Sequence, residues 1–99
     1  MHIDKVIVGP ITYTIEEVLG LFALPDENEY EQPLLGECQQ GKALIRLEED
    51  QRDTVKYITL WHEIIHAILC GAGLADHDEQ IVNAIAHGIV DVLERNPDL

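Results

Sequence analysis

Residues 58–70 read ITLWHEIIHAILC, and the four polar side chains in this stretch decide how the rest of the chain is read. Thr59, His62, Glu63 and His66 follow one another at offsets of 3, 4 and 7, which places them on one stripe of an α-helix that is otherwise apolar. Arg52 and Lys56 continue the stripe backwards, as the solvent face of an amphipathic helix would. The same stripe also contains His62-Glu63-x-x-His66. Two imidazoles one turn apart aim at a single point, where they can bind Zn²⁺ at about 2.0–2.1 Å, and the intervening glutamate faces a water held there.

A metal site of this kind needs a third ligand after the helix turns back, and residues 75–93, ADHDEQIVNAIAHGIVDVL, offer several. Glu79, 13 residues past His66 at the start of a second helix, would complete a two-His, one-Glu site with an open fourth position. His77, Asp76, Asp78 and His87 compete with it. Asn83 and His87 follow Glu79 on nearly the same face, and in an antiparallel helix pair either could replace it. As a non-ligand, His87 could stabilise an oxyanion, or it could be a plain exposed position beside Asp91 and Glu94. Cys70 lies one turn beyond His66 and could close a His-His-Cys site, but a lone thiol in an apolar helix reads as core, as does Trp61. The extension H-E-x-x-H-x-x-G-x-x-H is excluded, because Leu69 and Ala72 stand where it needs Gly and His.

Outward from the motif, Asp50 or Asp53 can cap the first long helix, and Gly71 or Gly73 can stop it. The second helix spans roughly Asp78 to Arg95 and ends before Asn96-Pro97. Upstream, β-branched residues broken by Gly9-Pro10 and resumed at Ile11-Thr12-Tyr13 predict a strand pair. Thr14 and Glu17 have the form of a capping box, which predicts a short helix from Ile15 to Phe22. The acidic segment between Pro25 and Pro33 reads as a surface loop. Residues 34–49, LLGECQQGKALIRLEE, predict a second strand pair turning at Gln39–Lys42, with Ala43, Ile45 and Leu47 on one face. The expected class is α+β: an antiparallel sheet of two strand pairs and a short helix, packed on two long antiparallel helices.

With 99 residues, 46% of them hydrophobic and 25% charged, the chain fits a single domain spanning 1–99. No apolar run approaches the roughly 20 residues of a membrane span. Six Lys+Arg against nineteen Asp+Glu give a net charge of −13, which argues against nucleic acid or an anionic membrane as partner. Between Lys5 and Lys42 stand seven acids and no base, a region suited to solubility or to a basic partner. The first residues carry no basic patch followed by a long apolar stretch, which points to the cytoplasm. There Cys38 and Cys70 would be reduced, and both are expected to be buried thiols.

The stretches LWHEIIHAIL and DHDEQIVNAIAHGI resemble the small zinc-metallopeptidase-like proteins related to the ImmA/IrrE group, many of them encoded by phages and prophages. The resemblance covers mainly residues 57–95, and GECQQGKALIRL resembles the strand pair that precedes the metal helix in such proteins. It implies a small zincin-like domain in which His62, His66 and Glu79 match the metal ligands and Glu63 the general base. The implied activity is zinc-dependent hydrolysis of a peptide or protein substrate, with the strand around Ala43 to Leu47 holding an extended peptide by edge pairing. The alternative is a non-catalytic zinc-binding or regulatory module with a structural metal, for which Glu63 would be dispensable.

Overall fold

The computed structural model describes residues 3–22 and 34–99; the predicted acidic loop between Pro25 and Pro33 lies outside the described residues. Strands β1 (Lys5–Val8) and β2 (Ile11–Val18) form the hairpin that the Gly9-Pro10 break predicts, with Val8 opposite Ile11 and Gly9 at a φ of 59° that favours glycine. Strands β3 (Gly36–Gln39) and β4 (Leu44–Glu48) form the second, joined by a 3₁₀ turn over Gln40–Lys42. The two hairpins are not separate antiparallel pairs. β2 and β4 run parallel, with Ile15 opposite Ile45, so the sheet is a single mixed one in the order β1-β2-β4-β3.

The short helix expected over Ile15–Phe22 does not form, because β2 continues to Val18. The β-branched residues Ile11, Thr12, Thr14, Ile15 and Val18 favour strand, and the period of two sends Tyr13 and Ile15 into the core. Glu17, on the same face, does not cap anything; its carboxylate pairs with the ammonium of Lys56. The end of β2 is tied to the end of β4 instead, since the backbone N–H groups of Gly20 and Leu21 donate to the Glu48 carboxylate.

Helix α1 (Asp53–Gly71) carries the motif. Neither Asp50 nor Asp53 caps it: Arg52 is the N-cap and makes no side-chain bond, while Asp53 sits in the first turn, where a carboxylate meets the positive end of the helix dipole. Both predicted glycine stops contribute to its end. Gly73, at φ 86°, lets its own N–H reach the carbonyl of Cys70 and lets the N–H of Leu74 reach that of Leu69, closing a Schellman turn. Helix α2 (Glu79–Arg95) follows at once, capped by Asp78, whose carboxylate accepts from the N–H groups of Gln80 and Ile81.

α1 lies between the sheet and α2. Leu60, Ile64 and Ala67 pack on Tyr13, Ile15, Ile45 and Leu47 of the sheet, and Ile65 packs on Val82 and Ala86 of α2. Trp61 touches both clusters, as its expected packing role requires. Cys70 does not join them: it is exposed in the last turn of α1, and Cys38 is half-buried, so only Cys38 approaches the buried thiol expected of both. Among the described residues, no helix is long and apolar enough to cross a membrane.

Candidate metal centre

The polar stripe of α1 is not a solvent face. Among the described residues the buried polar side chains are Lys56, Thr59 and Glu63, all on this stripe, and His62 and His66 beside them are half-buried. The i, i+4 spacing brings His62 Nε2 and His66 Nε2 to 3.2 Å of each other. Glu79, in the first turn of α2, reaches across so that its Oε2 stands 2.9 Å from His62 Nε2 and its Oε1 3.0 Å from His66 Nε2.

These donors form a small triangle open on one side. Ligands at about 2.0–2.1 Å around a tetrahedral zinc stand roughly 3.3 Å apart, close to the three separations found. His62, His66 and Glu79 are the one group among the described residues that could hold a metal ion. Burial holds the His66 imidazole below its ordinary pKa, against the opposing pull of Glu79, and His62 and His77 add to the lowering. A neutral imidazole is the form that a metal requires.

Glu63 is 7% exposed. Burial first, then the negative charges of Glu79 and Glu37, push its carboxyl up to about 8. The donor set of two imidazoles and one carboxylate, with Glu63 beside it and no Lys or Arg among the described residues lining the cavity, suits a divalent cation.

A cavity of about 610 Å³ opens over the triangle. Its polar wall includes Thr59, His62, Glu63, His66, Glu79 and Asn83, and its apolar wall includes Leu34, Leu35, Val55 and Ile58. Edge strand β3 approaches α1 at Gly36, where a Cβ would stand 2.6 Å from Thr59 Cγ2. β4, expected to offer its edge to a peptide, cannot do so, because β2 and β3 occupy both of its sides. Among the described residues, the sheet edge beside the cavity is that of β3.

The other candidate ligands are placed apart from the triangle. Asp78 is used as the N-cap of α2, and Asp76 is exposed. His87 lines the cavity but is not in the ligand group, and with its Nδ1–H donating to the Asn83 carbonyl, N to O 2.9 Å, the neutral ring has no N–H left for an oxyanion. His77 meets the far side of the His66 ring, Nδ1 to Nδ1 at 2.6 Å. That contact was invisible in the sequence, since it depends on how the Gly73 turn returns the chain. No protein-family model, no curated protein and no solved structure matches the chain, and its chemistry is carried by the geometry above.

Proposed function

We propose that this chain is a small zincin-type hydrolase, akin to the ImmA/IrrE group, that cleaves peptide bonds with zinc held by His62, His66 and Glu79 and with Glu63 as general base. The observation that carries this reading is the donor triangle lying beside the buried Glu63 and opening into a cavity. Zinc bound there would supply a Lewis acid that polarises a carbonyl and acidifies a water.

The remaining work falls to the chain's own groups. A cation in the triangle would offset the burial and the neighbouring acids that push the Glu63 carboxyl up, and the ionised Glu63 takes a proton on a carboxylate oxygen and returns it to the leaving amine. Leu34, Leu35, Val55 and Ile58 line one wall of the cavity and offer apolar contact to substrate side chains. The edge of β3 offers backbone groups to an extended peptide, a mode of binding with little sequence preference. The net charge of −13 favours a basic or unfolded segment as substrate. His87 can steady an oxyanion only with both ring nitrogens protonated, given the bond from Nδ1 to Asn83.

The test is zinc content per chain, measured by mass spectrometry on untagged wild type, His66→Ala and Glu63→Gln, followed by cleavage of unfolded cationic peptides. One zinc in wild type and Glu63→Gln, almost none in His66→Ala, and cleavage by wild type alone is the expected result. Zinc in all but His66→Ala with no cleavage by wild type would favour the non-catalytic module, and a wild type that takes up no zinc sinks both readings.

A further inference from the structure

We infer that His77 is a positioning residue: it fixes the tautomer of His66 so that the Nε2 lone pair of His66 faces the metal. This rests on the zinc reading above, but its own ground is a chain of contacts that runs away from the triangle. His66 Nδ1 stands 2.6 Å from His77 Nδ1, and His77 Nε2 lies within hydrogen-bond reach of the Leu74 carbonyl. The ring planes differ by 22° and the centroids lie 4.9 Å apart, the separation that two imidazoles meeting nitrogen to nitrogen produce. The rings therefore meet edge to edge, which directs an N–H of one at the lone pair of the other.

With a cation in the triangle, taking the place of the direct contact between His66 Nε2 and Glu79 Oε1, only one distribution of protons satisfies the remaining contacts with both rings neutral. The Leu74 carbonyl can only accept, so His77 Nε2 carries a proton and donates it there, which leaves His77 Nδ1 as an acceptor. His66 Nδ1 then carries the proton that fills it, and His66 Nε2 is left with a lone pair directed at the triangle. The reverse assignment, with the proton on His66 Nε2, makes His77 Nδ1 the donor. His77 Nε2 then either opposes the Leu74 carbonyl lone pair to lone pair or takes up a second proton.

The anchor of this chain is the turn that ends α1. Leu74 is fixed by its N–H bond to the Leu69 carbonyl, made possible by Gly73 at φ 86°. His77 precedes by one residue the Asp78 cap that starts α2, and Glu79 follows that cap. One turn thus sets the third ligand and the partner that orients the second. Partners of this kind on a ligating histidine are worth about 10–100-fold in metal affinity.

The experiment compares wild type, His77→Phe and His77→Gln as full chains. Imidazole ¹⁵N–¹H correlation spectra of the zinc-loaded proteins report which ring nitrogens carry protons. Zinc affinity is then measured by competition with a chromophoric chelator. Wild type should have His66 protonated on Nδ1 and His77 on Nε2. His77→Phe keeps the ring volume but leaves His66 Nδ1–H without its acceptor, so zinc affinity should fall about 10–100-fold. His77→Gln can accept from His66 and donate to Leu74, and should recover most of the loss. A wild type that binds no zinc overturns the metal reading, and the role of His77 with it. A wild-type His66 protonated on Nε2, an imidazolium at His77, or equal zinc affinity in wild type and His77→Phe overturns the role given to His77.

Discussion

Replacing Gly36 with alanine probes the close approach of β3 to α1 that builds one wall of the cavity. The new Cβ would stand 2.6 Å from Thr59 Cγ2 and 3.3 Å from both the Arg46 carbonyl and Leu47 Cδ2. None of these neighbours yields readily: Thr59 is buried with its hydroxyl donating to the Val55 carbonyl at 2.9 Å, Leu47 is fully buried, and the Arg46 oxygen is backbone within the sheet. Relief requires the strand to move off the helix, and overpacking of this sort costs about 1–3 kcal/mol. In a domain of this size each kcal/mol lowers Tm by roughly 4–8 °C. Thermal and urea unfolding of wild type, Gly36→Ala, Thr59→Ser and the double variant isolates the cause, because Thr59→Ser deletes Cγ2 and keeps the hydroxyl. The cost of Gly36→Ala should shrink by about 1 kcal/mol or more in the serine background, a coupling well above the usual non-additivity of distant sites. A cost below about 0.5 kcal/mol, or an equal cost in both backgrounds, would refute the account of Gly36 as a steric requirement of the site.

Free zinc at one hundred times its dissociation constant should stabilise the wild type by about 2.7 kcal/mol, a rise in Tm of roughly 10–20 °C; calorimetry should find that rise abolished in His62→Ala. Burial pushes the Glu48 carboxyl up, but the N–H groups of Asp50, Leu21, Gly20 and Glu49 together hold it below its ordinary value of 4.5. Its contribution is complete above that ordinary value and lost as pH falls through the lower folded one, so urea titrations should find Glu48→Gln less stable than wild type at neutral pH, with the gap closing below about pH 4. Burial, with the charge of Glu63 and then Cys70 adding to it, pushes the Cys38 thiol up to about 12, whereas Cys70 is exposed. A thiol-reactive chromophore should therefore label one cysteine in the native protein and two in denaturant. Glu63→Leu should raise the Tm of the zinc-free protein while abolishing peptide cleavage, and a drop in Tm would mean that the Glu63 carboxylate is not the buried liability its surroundings imply.

What could be read from the sequence is what repeats locally. The register of α1, the pairing of His62 with His66 and the entry of α2 at Glu79 all follow from the helical period and from the Asp78 cap, and each needs only a few neighbouring residues to be specified. The segment from Ile15 to Phe22 was misleading for the same reason. Thr14 and Glu17 satisfy a local helix-start pattern, but the pairing of Ile15 with Ile45, a partner thirty residues on, imposes the strand. That parallel pairing leaves β4 central and β3 at the edge, so the predicted docking strand was displaced by one position. Gly36 and His77 were silent because their roles exist only where separate segments meet: β3 against Thr59, and the Gly73 turn against His66.

The distinction between a catalytic and a structural metal turns on Glu63 more than on the three ligands. Two imidazoles and a carboxylate at these separations would hold zinc in either case, and a site built for stability alone is normally closed by a fourth protein ligand. Here the fourth side faces a cavity, and the group waiting at its wall is a carboxyl 7% exposed that burial and neighbouring acids push up to about 8. An apolar side chain of similar volume at that position would pack against the same neighbours without the desolvation cost. The fold tolerates the less stable residue at the point where a water beside the metal would need a proton acceptor, and that local conflict between stability and placement is the strongest support for hydrolysis.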